Sequence, residues 1–371
     1  MRERRFDYTL FALVIILLTI GVIMIYSASA FIAQVRGLSS EFFFKKQIMW
    51  FIMAIATILI VSRINYHHWQ KLAWPIMLGS LVMLVAVLTQ REINGSRRWL
   101  FVFNQSLQPS EVFKYALVIF TAYYLCRKRE MLSKLKALAW PWGALAALGM
   151  GLILLQPDLG MVLIIMMTTF VLLFMAGLKY RYVLTGVLAP VALAGFMVFV
   201  ADYKSARLEA FLHPENSTLA EVYHQNQSLM AIGAGKLAGV GIGRGMAKLS
   251  HLPESHTDFI IANVAEEGGF VTVLLCLAFY FIIVVRGLRI ASLAQDHFGF
   301  YLAFGIVSIL TLSIIINISV AVRLLPTTGM TLPFLSYGGS SIICSSFGIG
   351  ILLNISRHQY KVSKLLEKRR G

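Results

Sequence analysis

The chain has 371 residues, of which 58% are hydrophobic and only 13% charged, and its mean hydropathy is +0.76. Soluble domains carry about 25% charged residues, so this composition excludes a soluble globular protein and indicates an integral membrane protein. A net charge of +16 in a soluble chain would point to nucleic acid, but basic loops facing anionic lipid account for it here, and no nucleic acid partner is expected. The three cysteines, Cys126, Cys276 and Cys344, lie in or beside apolar runs and form neither a metal-binding nor a redox motif.

Crossing about 30 Å of hydrocarbon takes about 20 residues of helix. Apolar runs suited to this fall at 8–32, 47–61, 72–89, 111–126, 138–156, 159–178, 182–201, 259–285, 297–322 and 336–356. The first is a full-length span rather than a cleaved leader, since it lacks a credible small-residue cleavage site. The fourth is short and carries Lys114. Together they predict an all-α integral membrane protein of about ten transmembrane helices, forming a single polytopic membrane domain over residues 1–371.

The lysines and arginines set the orientation. With the N-terminus in the cytoplasm, 20 of the 33 fall in inner segments, whose short loops are basic. That bias supports ten spans with both termini cytoplasmic and a basic tail at about 357–371. Twelve of the 17 acidic residues fall on the outer side, and so do the longest connections, at 90–110, 202–257 and 323–335. The polar chemistry is therefore expected at the outer leaflet. The 202–257 loop, between spans 7 and 8, is too long for a connector. Helical spacing is expected at 203–212 and at 223–234, the latter ended by Gly233 and Gly235. Alternating glycines follow at Gly239, Gly241, Gly243 and Gly245, and re-entrant or interfacial elements are expected there.

The stretch 251–269, HLPESHTDFIIANVAEEGG, concentrates ionisable groups and runs directly into the eighth span. A carboxylate at mid-membrane costs about 2.5–3.5 kcal/mol, less near the interface, and marks a functional candidate. Asp258 stands at the lip of the span, either as a helix cap with Thr257 or as a general base able to meet a hydrophilic acceptor. Glu254 and His256 lie beside it, but the spacing of these three residues fits no structural zinc signature. Glu266 and Glu267 need partners, either in an ion pair between helices or with Lys114 as the candidate.

Three further constellations lie on the same side. In QPSEVFK, Glu111 and Lys114 share a helix face. They either neutralise one another so that a short helix inserts, or Lys114 meets an anionic substrate group that Glu111 helps to orient. Arg97 and Arg98, in NGSRRW, either snorkel to headgroups or bind phosphate bidentately. In LLQPDLG, Asp158 either caps the sixth span or supplies a second carboxylate to a cavity, where a divalent cation such as Mg or Mn would be held against phosphate. The turn-rich segment 324–341 contains Ser336, Gly338 and Gly339, and either binds an anion through exposed amides or is a rigid loop.

QPSE…K, LLQPDLG, QSLMAIGAGKLAGVGIGRGMAKLSHLPESHTDFI, AEE and LLPTTGMTLPFLSYGGSS, in this order, resemble the shape, elongation, division and sporulation (SEDS) family, which includes FtsW and RodA. Each motif alone is weak, but the set is specific and covers nearly the whole chain. MAKLSHLPESHTDF and TTGMTLPFLSYGG look closer to FtsW than to RodA. The chain departs from the family pattern at Ile261, Asn263 and Gly268.

The resemblance implies a peptidoglycan glycosyltransferase joining lipid II units at the outer face of the bacterial plasma membrane, at the division septum. It implies a class B penicillin-binding protein as partner, among other divisome or elongasome proteins. The family's essential aspartate corresponds to Asp258, its fourth-span pair to Glu111 and Lys114, and its QPD aspartate to Asp158. Charge and placement then suggest that Asp258 deprotonates the acceptor hydroxyl, which displaces polyprenyl diphosphate with inversion, while Lys114, Arg97 and Arg98 stabilise the leaving group. The competing classes are a transporter of lipid-linked sugars and a non-catalytic scaffold.

Overall fold

The computed structural model describes residues 6–35, 37, 39–92, 96–102, 105–127, 139–178, 220–246 and 257–370. The expected seventh span at 182–201, the helix at 203–212 and the side chains of Glu254 and His256 lie outside these residues.

Long apolar runs fold as helices because a helix satisfies its backbone internally, which hydrocarbon demands. Among the described residues, five are long and apolar enough to cross a membrane: α1 (Tyr8–Val35), α2 (Phe42–Arg63), α9 (Ile260–Ser292), α10 (His297–Ala321) and the first 20 residues of α11 (Gly339–Arg370). Shorter apolar helices are α4 (Ala73–Leu88), α6 (Ala144–Leu154) and α7 (Leu159–Met175), with the small α3 (His67–Lys71) preceding α4. The chain is thus an all-α membrane protein whose described residues include one hairpin, β1 (Leu100–Val102) with β2 (Gln105–Leu107), paired Leu100 to Leu107. The hairpin lies in the 90–110 connection, which the sequence showed only as a loop. Helix α8 (Ala220–Gly235) forms where helical spacing was expected and ends at the same glycines.

Helix α5 (Pro109–Arg127) is the centre of the bundle. It packs against α4, α7, α10 and α11, and nearly every residue from Pro109 to Leu125 is buried. Neighbouring helices come close by presenting glycine to its bulky side chains: Gly149 to Phe113, Gly305 to Val118 and Gly348 to Tyr115. Small residues at contacts of this kind are how membrane helices approach without a hydrophobic drive. The short fourth run is thus an enclosed helix, not a lipid-facing one, and this is why it carries ionisable residues.

Helix α9 differs most from expectation. Its 33 residues contain Gly269 at φ 75°, ψ 179°, a backbone state outside the helix. Residues 260–267 are buried on every side, whereas exposed apolar side chains begin at Phe270 and Val271. The expected span at 259–285 is therefore two pieces: a covered short helix that starts just after Asp258, and a lipid-facing rod from Phe270 onward.

At the opposite end of the bundle, Asp296 caps α10 by accepting from Gly299 N at 3.0 Å. It also accepts from Tyr66 Oη at 2.8 Å and faces His67 Nε2 at 3.1 Å. Burial, and then the hydrogen bond to Asp296, push the Tyr66 phenol above its ordinary range, so it remains a donor. Tyr66 N donates to Asn354 Oδ1 at 2.9 Å, and Asn354 Nδ2 to Ser62 O at 2.9 Å. This network pins α2, α10 and α11 together.

Gly269→Ala should destabilise the fold, because that backbone state belongs essentially to glycine and costs other residues about 1–3 kcal/mol, and because the added methyl meets the backbone of Leu237 and Gly239. A lower thermal unfolding midpoint in detergent is the expected result, with Gly79→Ala, whose added Cβ meets nothing within 4 Å, as the mild control.

Candidate functional site

Residues 257–259 form a turn leading into α9, and Asp258 is half-buried there. Its backbone is fixed by Asn317, a buried residue of α10. Asn317 Nδ2 donates to Asp258 O at 3.0 Å and to Met330 O at 2.6 Å. One amide thus ties the start of α9 to the 324–338 loop. The sequence reading missed Asn317; its only signal was a lone amide within an apolar span, which calls for an internal partner.

Arg98 approaches from the hairpin side. Its Nε donates to Gln156 O at 2.9 Å, its Nη2 donates to Pro157 O, and its Nη1 lies 3.8 Å from Asp158 Oδ2. Of the two alternatives for Asp158, the helix cap is the one seen in its contacts. Oδ1 caps α7 by accepting from Met161 N at 3.3 Å, while Oδ2 accepts from Gln108 Nε2 at 3.2 Å and faces Arg98. A Cβ at Gly329 would lie 3.9 Å from Arg98 Nη1 and 3.9 Å from Asp258 Oδ2. The guanidinium and the carboxylate therefore border the same small space, kept clear by a glycine at φ 72°.

Beneath this mouth, Gln108 N donates to Ser340 Oγ at 3.0 Å, and Ser340 Oγ donates to Ser106 O at 3.0 Å. The first turns of α5 and α11 are thereby joined to β2. Glu111 and Lys114 form a buried ion pair at 2.9 Å, with side chains 6% and 4% exposed. Arg97 turns away from the cluster: it is exposed and donates to Leu88 O at 3.2 Å.

Lys114, the candidate partner for Glu266 and Glu267, pairs with Glu111, and the glutamates are met by other groups. Glu267 accepts from Ser27 Oγ at 2.7 Å and from Gly243 N at 3.0 Å, and Glu266 accepts from Met246 N at 2.7 Å. The two carboxylates face the glycine-rich segment, where backbone amides meet them. In the 324–341 stretch the rigid-loop alternative has the better support. Ser336 is buried and accepts from Leu332 N at 2.8 Å, Gly338 packs on Thr331, and Gly339 packs on the Trp50 indole. Among the described residues, no three metal-ligating side chains gather.

The geometry defines an all-α membrane protein in which, among the described residues, a carboxylate and a held guanidinium border one small space at the head of α9. The family model described as cell cycle protein, FtsW/RodA/SpoVE, matches residues 8–361, and the chain belongs to that family. It is 37% identical over 358 residues to a Trichlorobacter lovleyi protein named "Probable peptidoglycan glycosyltransferase FtsW", covering 96% of this chain and 94% of that one. Among solved structures, a chain of a peptidoglycan synthase complex that coordinates polymerization and crosslinking superimposes with a TM-score of 0.80 at 28% identity, covering 96% of this chain and 99% of that one. The rod shape determining protein RodA of Thermus thermophilus superimposes with a TM-score of 0.70 at 26% identity, covering 96% and 98%.

Removing one member of the buried Glu111–Lys114 pair leaves an uncompensated charge, a loss of about 3–5 kcal/mol, whereas replacing both with apolar residues is often neutral. Glu111→Leu and Lys114→Met should each lower the unfolding midpoint in detergent, and the double variant should recover most of the loss.

Proposed function

We propose that this chain is a peptidoglycan glycosyltransferase that polymerises lipid II at the outer face of the plasma membrane, with Asp258 as general base. The single observation that carries the reading is the placement of Asp258. It is half-buried, its backbone is held by Asn317, and it shares the space at Gly329 with Arg98, at the head of a helix that continues into the lipid-facing rod. A lipid-linked sugar diphosphate needs this combination, since its tail stays in hydrocarbon while its reacting carbon meets a polar acceptor. The names of the relatives, which include a glycosyltransferase, support the same activity.

In the proposed reaction, the acceptor sugar hydroxyl gives its proton to the Asp258 carboxylate as its oxygen attacks the anomeric carbon of the donor. The bond from that carbon to the diphosphate oxygen breaks, the configuration inverts, and polyprenyl diphosphate leaves with the bonding electrons. Arg98, oriented by two backbone carbonyls and Asp158, is the cation best placed to stabilise the negative charge on the leaving group. Glu111 and Lys114 act below the mouth as a positioning pair. A divalent cation, where one is bound, would neutralise the diphosphate.

The ten-span arrangement with cytoplasmic termini belongs to this proposal and rests on the bias of the lysines and arginines. So does a class B penicillin-binding protein as partner at the septum, supported by the likeness to a chain of a peptidoglycan synthase complex.

Purified Asp258→Asn should lose at least about 100-fold of glycan synthesis from lipid II while keeping its unfolding midpoint, in keeping with the loss of a general base. Normal glycan chains from that variant would overturn the assignment. Arg98→Lys keeps the charge but not the planar fork, and should slow turnover by about tenfold or more with a smaller change in apparent affinity.

A further inference from the structure

The glycine-rich segment 236–246 is built unlike a loop in water. Its backbone fills the break in α9: Val240 N donates to Glu266 O at 2.9 Å, and Gly241 N to Glu267 O at 3.1 Å. In return Phe270 N donates to Lys236 O at 2.9 Å, and Val271 N to Leu237 O at 3.3 Å. Gly239 N bonds Gly235 O, Arg244 N bonds Gly241 O, and the Gly243 and Met246 amides go to the carboxylates of Glu267 and Glu266. A loop in water leaves such amides to solvent; non-helical backbone at membrane depth must satisfy them within the protein.

The side chains point to the same environment. Leu237 is 70% exposed, Ile242 68% and Met246 63%, with Val240 also exposed. They continue the exposed apolar face of α9, which begins at Phe270 and Val271, the two residues hydrogen-bonded to the segment. From Phe270 to Arg286 the helix rises about 24 Å, close to the hydrocarbon thickness of about 30 Å. The segment therefore lies at the hydrocarbon boundary on the Asp258 side. Exposed Lys236 and Arg244 flank its apolar side chains, the arrangement in which long basic residues reach phosphates from an apolar bed.

We propose that residues 236–246 form a lipid-seated wedge: Leu237, Val240, Ile242 and Met246 rest among acyl chains of the leaflet nearest Asp258, and Lys236 and Arg244 engage its phosphate headgroups. Glu266 and Glu267 hold the wedge by its amides. The occupant is bulk phospholipid, because the wedge is continuous with the lipid face of α9.

The test is a nitroxide placed through Ile242→Cys, and separately Leu237→Cys, in the full chain with Cys126, Cys276 and Cys344 replaced by alanine. The protein is reconstituted in phosphatidylethanolamine and phosphatidylglycerol bilayers. Power saturation then compares collisions with oxygen, which partitions into lipid, and with a water-soluble nickel chelate. A label at Leu275→Cys on the lipid face of α9 serves as reference. Oxygen accessibility exceeding that of nickel at 242 and 237, as at 275, supports the wedge. Nickel dominance overturns it in favour of an aqueous loop, and exclusion of both agents overturns it in favour of a protein-covered surface. Should the cysteine-free chain fail to fold, a benzophenone amino acid at 242 in the native sequence gives the same answer by mass spectrometry. Phospholipid adducts support the proposal; protein adducts alone, or none, overturn it. Neither readout depends on glycan synthesis, so the result stands apart from the proposed activity.

Discussion

Hydrocarbon offers no hydrogen bonds, so every charge and every backbone group placed in it must find a partner within the protein. That constraint organises this structure. Glu111 and Lys114 are tolerable because α5 is enclosed and the two neutralise each other at 2.9 Å. Glu266 and Glu267 are tolerable because backbone amides and Ser27 meet them. The break at Gly269 is tolerable because the segment beside it exchanges hydrogen bonds with both sides of the gap.

The candidate site is where the same rule is relaxed. Asp258 is half-buried rather than sealed, and the space it borders is shared with Arg98. Arg98 is itself fixed by two carbonyls and by Asp158. A guanidinium held in this way needs little reorganisation when charge develops nearby, which is how preorganised groups contribute to catalysis. The surroundings are rigid on several sides at once, through Asn317, the Gln108–Ser340 contact and the loop packed over Gly160.

Hydropathy made the membrane helices legible, because the runs at 8–32, 297–322 and 336–356 are apolar whichever way they face. It could not show which helix is central, since period and composition do not separate an enclosed helix from a lipid-facing one; only packing reveals that α5 is surrounded. The two glutamates were legible as groups in need of partners, but apart from Ser27 the partners were backbone amides, which have no residue type to read. The break at Gly269 was hidden for the same reason, although Gly268 beside it stood out as a departure from the family pattern. Asp258, Asp158 and Arg98 were legible because charges beside apolar runs are rare. Asn317 was not, because its role lies in joining two carbonyls far apart in the chain. Arg98 and Arg97 were indistinguishable in sequence; the hairpin turns one toward the site and the other away.

Helix α11 has a mechanical consequence. It runs without interruption through its 32 residues, Gly339–Arg370, a rod of about 48 Å at 1.5 Å per residue. Its first turn is bonded to Gln108 at the mouth through Ser340, and Asn354 clamps it to α2 some four turns later. Between these two ties its side chains at Ile342, Ile349 and Leu352 are buried, so the helix is gripped along its length and joins the Asp258 side of the bundle to the opposite side as one stiff strut.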